Sequence, residues 1–598
     1  MSGLIKSTTA DAVLSSLRAP AGAALVGVGT RTLADKLAEA VSVKDAPSNA
    51  KGDGTADDKA AISAAVGANN QVRFTKGDYL VASSLNIPGT VTLVFDAGAR
   101  LIIPDGVTLT FANCELKAGG SQIFKCTGTG KVEGTIRNPL IMPEWWGAIA
   151  DGLWNPVNGD FAPRAAAAAR NGVALQAAAK FAGFSYATNG LTNTVLLSPG
   201  FYVSDKTFSI PLSVNVIGYG IGSAIFYYAA AGNAVECIDG NNSLLSDFFI
   251  APIAGPTWNV STGCGLYMKG VSTPCVRNIW SSGFAGGTFY FENVIEGRID
   301  GLISDNANGP AFMLRGVGQG TVLRNCLTAA TDGGPCFDIQ SGYDWHLIGC
   351  TAKNGASTTG TQGYYLNGVE NINLTACGGH NIKREGFLLT ATALNCTLNG
   401  CFVNDASIAS VGTYSAFNIS GTRNRLIAPK VTSNTPKYNY GITYGGGATD
   451  CGHSGENITP GTLGSVLDAQ PIGLNPYHVR KVSTTDAVAK TVWTKNLNNN
   501  AGAVIKATVF AKQREGAGAG ATAYFELYAC VKTNATSTTF ATGPTKTVNF
   551  ASTAGLNADL VISTATGNAG VVSLQVTGLA SAYAVDWEAE VKVMSVTG

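Results

Sequence analysis

Four phrases of this sequence repeat one another: VLRNCLTA (322–329), HLIGCTAK (346–353), NLTACGGH (373–380) and LNGCFVN (398–404). Their cysteines, Cys326, Cys350, Cys377 and Cys401, stand 24, 27 and 24 residues apart. Ile279 and Leu302 extend the same position backwards at spacings of 23 and 24. A second strand-like run accompanies each phrase: AFML, CFDI, GYYL, GFLL and AFNI, whose aromatic members are Phe312, Phe337, Tyr364, Phe387 and Phe417. A period of about two dozen residues holding two or three short strands is one coil of a parallel β-helix. No coil buries its own inner face, so coils stack at about 4.8 Å and complete one another's core. Cysteine, small and apolar, suits such an inner column, and stacked free thiols are predicted. A disulfide between neighbouring coils demands a special geometry. Behind the column stand Asn306, Asn354, Asn381 and Asp405, with Ala330 interrupting. These read as structural: asparagine tolerates the left-handed backbone of a sharp bend, and stacked amides bond to one another and to turn backbone.

The totals bound the class. At 598 residues the chain exceeds one compact core and allows three or four domains. Charged residues make up 13%, against about 25% in ordinary domains. Lys+Arg (40) nearly cancel Asp+Glu (39), so there is no basic field for nucleic acid or an anionic membrane. The 13 cysteines are dispersed, without a CxxC pair or zinc spacing, and the four histidines form no metal pattern. They read as buried thiols of a protein folded in a reducing compartment, with no metal and no cofactor. The start, MSGLIKSTTADAVLSSLRAP, lacks the apolar core of a signal peptide, and no apolar run reaches the length of a membrane span.

Upstream of the repeats, Leu33, Leu37 and Val41 recur at helical spacing in an N-terminal segment, 1–42. Gly52-Asp53-Gly54 then feeds Asp57-Asp58 and the run Lys59-Ala60-Ala61-Ile62, predicting a turn and an aspartate-capped helix. Strand-like runs follow: QVRFTKGDYLVAS, TVTLVFDAGARLII and VTLTFANCELKA. The order then recurs. Pro143-Glu144-Trp145-Trp146-Gly147 precedes Asp151-Gly152, a helical pattern from about Arg164 to Ala182, and Val195 to Val203, which parallels Val72 to Val81. Two such openings imply two β-domains in series, 43–142 and 143–474. From 475 to 598 the strands alternate in the manner of an antiparallel sandwich, as in AVIKATVFAK, AYFELYACVK and VDWEAEVKVM. The expected fold is therefore all-β: a right-handed parallel β-helix with short N-terminal helices, a small N-terminal β-domain and a C-terminal antiparallel β-sandwich.

With no Gly-x-Ser-x-Gly elbow in a strand-turn-helix setting, the candidate chemistry falls to carboxylates. Glycoside hydrolysis commonly uses two, one protonated and one ionised. Alternate residues of a coil point outward, and neighbouring coils align them. FENVIEGRIDGLISDN sets Glu296, Arg298 and Asp300 on one outward face, with Asp344 and His346 two coils on and Arg324 between. Glu296, Asp300 and Asp344 are the first catalytic candidates. Asp305, Asp332, Asp338 and Glu292 follow them, with Arg315, Lys353, His380 and Glu385 as charged companions. Arg298, Arg324 and His346 suit an acidic sugar or phosphate, and Trp345, Tyr343, Tyr290 and Tyr365 suit sugar stacking. In the last domain, Tyr583 and Trp587 are aromatic candidates, with a core position the commoner fate of such a Trp.

The doubled opening motif, the coil repeat and the terminal sandwich together resemble the pectate-lyase-like β-helix family that includes bacteriophage tailspike depolymerases. One departure is the Ala46-Pro47-Ser48 that stands where an aromatic-glycine pair is usual. The resemblance implies a homotrimeric virion-tail protein, attached to a phage tail or baseplate through residues 1–42. Its partner would be a bacterial surface polysaccharide: capsule, exopolysaccharide or O-antigen. It implies endo-glycosidic hydrolysis first, β-elimination by a polysaccharide lyase second, and a non-catalytic receptor-binding spike third. A C-terminal domain in this setting serves trimerisation or carbohydrate binding. Host release by lysis fits a chain without an export signal.

Overall fold

The computed structural model describes residues 15–17, 27–28, 31–32, 41–150, 162–189, 193–227, 231–252, 262–329, 331, 333–353, 361–469, 477–484, 489–497, 502–513, 522–533, 538–551, 556–564, 570–578 and 585–596. Leu33, Leu37, Ala330, Asp332, Asn354 and Tyr583 lie outside these. Two compact units emerge. The first comprises Met1–Asp151, Ala166–Ser198 and Ser213–Ile217; the second comprises Gly152–Ala165, Pro199–Leu212 and Gly218–Gly598.

In the first unit, parallel strands Val41–Ser42, Gln71–Phe74, Thr92–Phe95, Thr108–Lys117 and Lys131–Ile136 form one ladder. Asp53–Asp57, Gly77–Leu80, Ala99–Ile103 and Phe124–Cys126 form another. Phe74 and Phe95, on adjacent rungs, stack at 4.8 Å. Val41, expected at a helical spacing, is instead a strand residue opposite Val72. The Gly-Asp-Gly turn closes on itself, since Asp53 Oδ1 accepts from the amides of Thr55 and Ala56. Helix Lys59–Ala68 forms as predicted, but the Asp58 carboxylate does not cap it. Asp58 turns back to accept from the amides of Lys51 and Gly52, while Asp57 Oδ1 takes the Lys59 amide. Trp145 and Trp146 are buried, and Trp146 packs against Phe124 and Phe181.

The second unit is a right-handed parallel β-helix of three sheets. In the first sheet Leu245, Val276, Ile299, Leu323, Leu347, Leu374, Leu398 and Leu426 form one buried column, each between two outward residues. Around the next corner the predicted Cys326, Cys350, Cys377 and Cys401 are all buried free thiols. The neighbouring Cys326 and Cys377 thiols, and then burial, push Cys350 up, and burial does the same to Cys401. In the third sheet Phe289, Phe312, Phe337, Tyr364, Phe387 and Phe417 stack at 5.0, 4.7, 4.7, 4.4 and 4.9 Å. These spacings are the ladder spacing itself, so each ring covers the next without a gap.

Corners are turned by residues in the left-handed region. Asn306, Asn381 and Asp405 adopt it as expected, with φ of 46°, 52° and 60°. The side-chain ladders predicted for them stand at other corners, where Asn278 donates to Asp247, Asn325 to Asp300 and Asn395 to Glu370. The third sheet continues past Gly464–Asp468 into Ala489–Leu497, Gly570–Thr577 and Asn557–Thr564, and the last pairings are antiparallel. Tyr477–Thr484, Val585–Val596, Gly502–Gln513, Thr522–Thr533 and Thr538–Ala551 form a separate antiparallel sheet. Trp587 belongs to its core, 1% exposed, with Nε1 donating to Thr484 Oγ1.

Phe337→Ala removes one ring from the middle of an unbroken stack and should cost about 3–5 kcal/mol. Denaturant or thermal unfolding checks it, and a loss below about 1 kcal/mol would contradict a close-packed column.

Candidate functional site

The strand Arg298–Asp300 sits between Cys275–Arg277 and Val322–Arg324, with Asp300 aligned to Arg277 on one side and Arg324 on the other. Ile299 points inward, which turns Arg298 and Asp300 to solvent. These strands and their turns line a cavity of about 890 Å³ that includes Thr273, Arg277, Glu296, Arg298, Asp300 and Arg324. Three guanidiniums and two carboxylates thus share one groove on a chain that is otherwise poor in charge.

Glu296 enters from the turn before its strand, at φ 53°. That turn is pinned three times. Glu296 N donates to Gln319 O (2.7 Å), Gly297 N donates to Thr321 Oγ1 (3.0 Å), and Thr321 Oγ1 donates to Val294 O (2.6 Å). Thr321 is fully buried, so a core hydroxyl fixes an exposed acid. Gly320, at φ +69°, lies beneath Glu296, and a Cβ there would come within 3.2 Å of Glu296 Cγ. Asp300 Oδ1 accepts from Asn325 Nδ2 at 3.0 Å. Among the described residues, Arg277, Arg298 and Arg324 close no ion pair. Arg73, Arg100, Arg315 and Arg425 each do. The groove's cations are therefore available to a ligand.

The other candidates fall elsewhere. His346 shares the Arg298 column two strands on, and Asp344 (φ 60°) occupies the turn position equivalent to Glu296, with Gly320 between; neither lines the cavity. Trp345, expected to line a subsite if exposed, is fully buried and donates Nε1 to Gly316 O. It lies in the corner between strands Phe337–Tyr343 and His346–Ile348 and turns inward there, while Tyr343, two residues before it, is 45% exposed. Asp305 is half-buried on the second sheet, opposite Ser282, and Lys353 and His380 share that sheet's outer side. Glu385 is buried beside Arg384. Arg277 was missed in the sequence because its coil carries no acid to mark it; register alone brings it to Asp300.

The third sheet gathers a second cluster. Tyr267 aligns with Tyr290, then Met313, Asp338 and Tyr365; Lys269 aligns with Glu292, Arg315 and Gln340. Glu292 accepts from Tyr267 Oη (3.1 Å) and pairs with Lys269 Nζ (2.9 Å). Burial pulls the Glu292 carboxyl upward, but the bonds from Lys269 and Tyr267 outweigh it and hold the group below the ordinary glutamate range. Burial first, then the Glu292 charge, raises Tyr267 and Tyr290. Asp338, 4% exposed, receives Arg315 Nη2 (2.5 Å) and Gln340 Nε2 (2.6 Å), so it anchors Arg315 and is not a free acid.

The sequence matches no family model and no curated protein. Among solved structures, a tailspike protein mutant of E. coli bacteriophage HK620, in complex with a pentasaccharide, is 10% identical, with 97% of this chain and 99% of that chain covered at a TM-score of 0.40. The Dettilon tailspike protein is 11% identical, with 97% and 100% covered, at 0.28. The A-module of the Azotobacter vinelandii mannuronan C-5 epimerase AlgE4 is 13% identical, with 54% and 96% covered, at 0.38. Likeness at this level says nothing of this chain's activity. The class defined by its own ladders is a parallel β-helix protein with a charged outer groove.

Two outcomes follow from the geometry. Thr321→Val keeps volume but strips the hydroxyl from the Glu296 turn. It should cost about 1–3 kcal/mol of stability, measurable by denaturant unfolding. Glu292 is ionised at a depressed pKa, so its contribution is full above the ordinary glutamate range and fades as pH falls through the folded value. Glu292→Gln should thus lower the melting temperature at neutral pH and converge with the parent in strong acid.

Proposed function

We propose that this chain binds and depolymerises a bacterial surface polysaccharide, with Glu296 and Asp300 as the acid/base pair and Arg277, Arg298 and Arg324 gripping an acidic sugar or phosphate. The observation that carries this is the groove: two carboxylates and three arginines that close no ion pair among the described residues, brought together by ladder register and the turn before Arg298. Hydrolysis needs one carboxyl protonated and one ionised. Both side chains are exposed in the free chain. Glu296, at the turn, is assigned the acid and Asp300, aligned between Arg277 and Arg324, the base or nucleophile. Asp344 and His346 extend the same columns and would meet a longer substrate.

The surplus of arginine also supports elimination as a second reading, in which a guanidinium neutralises a uronate carboxylate beside the abstracted proton. Unsaturated, ultraviolet-absorbing products mark elimination, and their absence marks hydrolysis. In the wider setting implied by the resemblance, the protein works as a homotrimer on a virion tail, acting outside the bacterial cell.

Incubation with capsule and lipopolysaccharide preparations should yield shorter oligosaccharides, read as new reducing ends. Glu296→Gln and Asp300→Asn should each lower the rate by about 100-fold or more. Arg324→Ala should raise KM more than it lowers kcat. Full cleavage by both acid variants refutes the assignment, and no shortening of any polymer refutes the enzyme reading.

A further inference from the structure

We infer that the outer face of the third sheet around Tyr267 and Tyr290 is a binding subsite for an uncharged sugar unit of the same polymer that occupies the groove. This rests on the polysaccharide reading above and extends it to a surface outside the cavity lining. Tyr267 and Tyr290 are ladder neighbours whose ring centroids lie 5.0 Å apart at 62°. Both are half-buried, so the rings are held by packing and still reach solvent. Aromatic faces offer sugar C–H groups an apolar platform, and fixed polar groups at the rim take up hydroxyls. Here the rim is Glu292, fixed by Lys269 and Tyr267, and Arg315, whose guanidinium lies 5.9 Å from the Tyr290 ring centroid.

Charge tells the two surfaces apart. Lys269 and Arg315 are each closed in an ion pair, with Glu292 and Asp338 respectively, and Glu236, the ladder neighbour of Tyr267, accepts from Ser209, so this face offers an acidic unit no unpaired cation among these residues. The groove holds three arginines against two carboxylates, none in an ion pair among the described residues. An acidic unit belongs in the groove, and an unionised one belongs on the tyrosines. The two surfaces are also continuous. Glu292 ends its strand, Asn293 turns the corner at φ 54° with Oδ1 accepting from Val317 N, and Glu296 stands four residues on. Four residues span at most about 14 Å, within reach of one extended oligosaccharide.

The test uses the intact protein carrying Asp300→Asn, fluorescently labelled, on a printed array of bacterial capsule and lipopolysaccharide glycans. Tyr267→Ala with Tyr290→Ala should weaken retention about tenfold. Tyr267→Phe with Tyr290→Phe keeps the rings and should retain binding. Retention unchanged in the alanine variant overturns the inference. So does a parent protein that no glycan retains. Dissociation of the oligomer in the alanine variant, with glycan binding intact, assigns the face to a second copy of the chain and also overturns it. The groove assignment fails separately, if Glu296→Gln and Asp300→Asn both still cleave at full rate, and the tyrosine result stands apart from that outcome.

Discussion

A coil of this chain has too little apolar surface to close a core, and everything else follows from its need for the next coil. The inner residue of each short strand must land on its counterpart one rung away. Where that residue is a ring, the rung spacing of about 4.8 Å is also a good stacking distance, and the six-ring column from Phe289 to Phe417 uses it throughout. Where it is a cysteine, the small sulfur fills the corner, and burial raises Cys401 well above the ordinary thiol range. A slip of one residue would turn each column outward, so the buried columns fix the register.

Register then places the chemistry. Strands of three residues with an inward centre leave two outward positions, and neighbours in these positions are a rung apart. That is how Arg277, Asp300 and Arg324, far apart in sequence, come to share one groove wall. The corners matter equally. Glu296 is held out of the strand by a left-handed turn that a buried threonine hydroxyl staples from inside, so core packing sets the direction of an exposed acid.

Two charged surfaces of this helix differ in how their charges are satisfied. On the third sheet Lys269 and Arg315 each meet a carboxylate beside the tyrosines. In the groove the cations are spaced by the ladder and closed by no ion pair among the described residues.

The coil, its inner columns and the change to antiparallel strands were legible in the amino-acid sequence, because a period of about two dozen residues with one small or aromatic residue per turn has few physical solutions. Glu296, Arg298, Asp300 and Arg324 were legible as neighbours for the same reason, given the cysteine alignment. Tertiary structure alone decided what alternation and corners do to individual side chains. Trp345 turned inward although polar residues surround it, Asp58 turned from its helix to a neighbouring loop, and Asp338 became the anchor of Arg315. Periodicity specifies which residues share a column, but the direction of a side chain depends on φ at a corner and on the hydrogen-bond partners that the fold brings within reach.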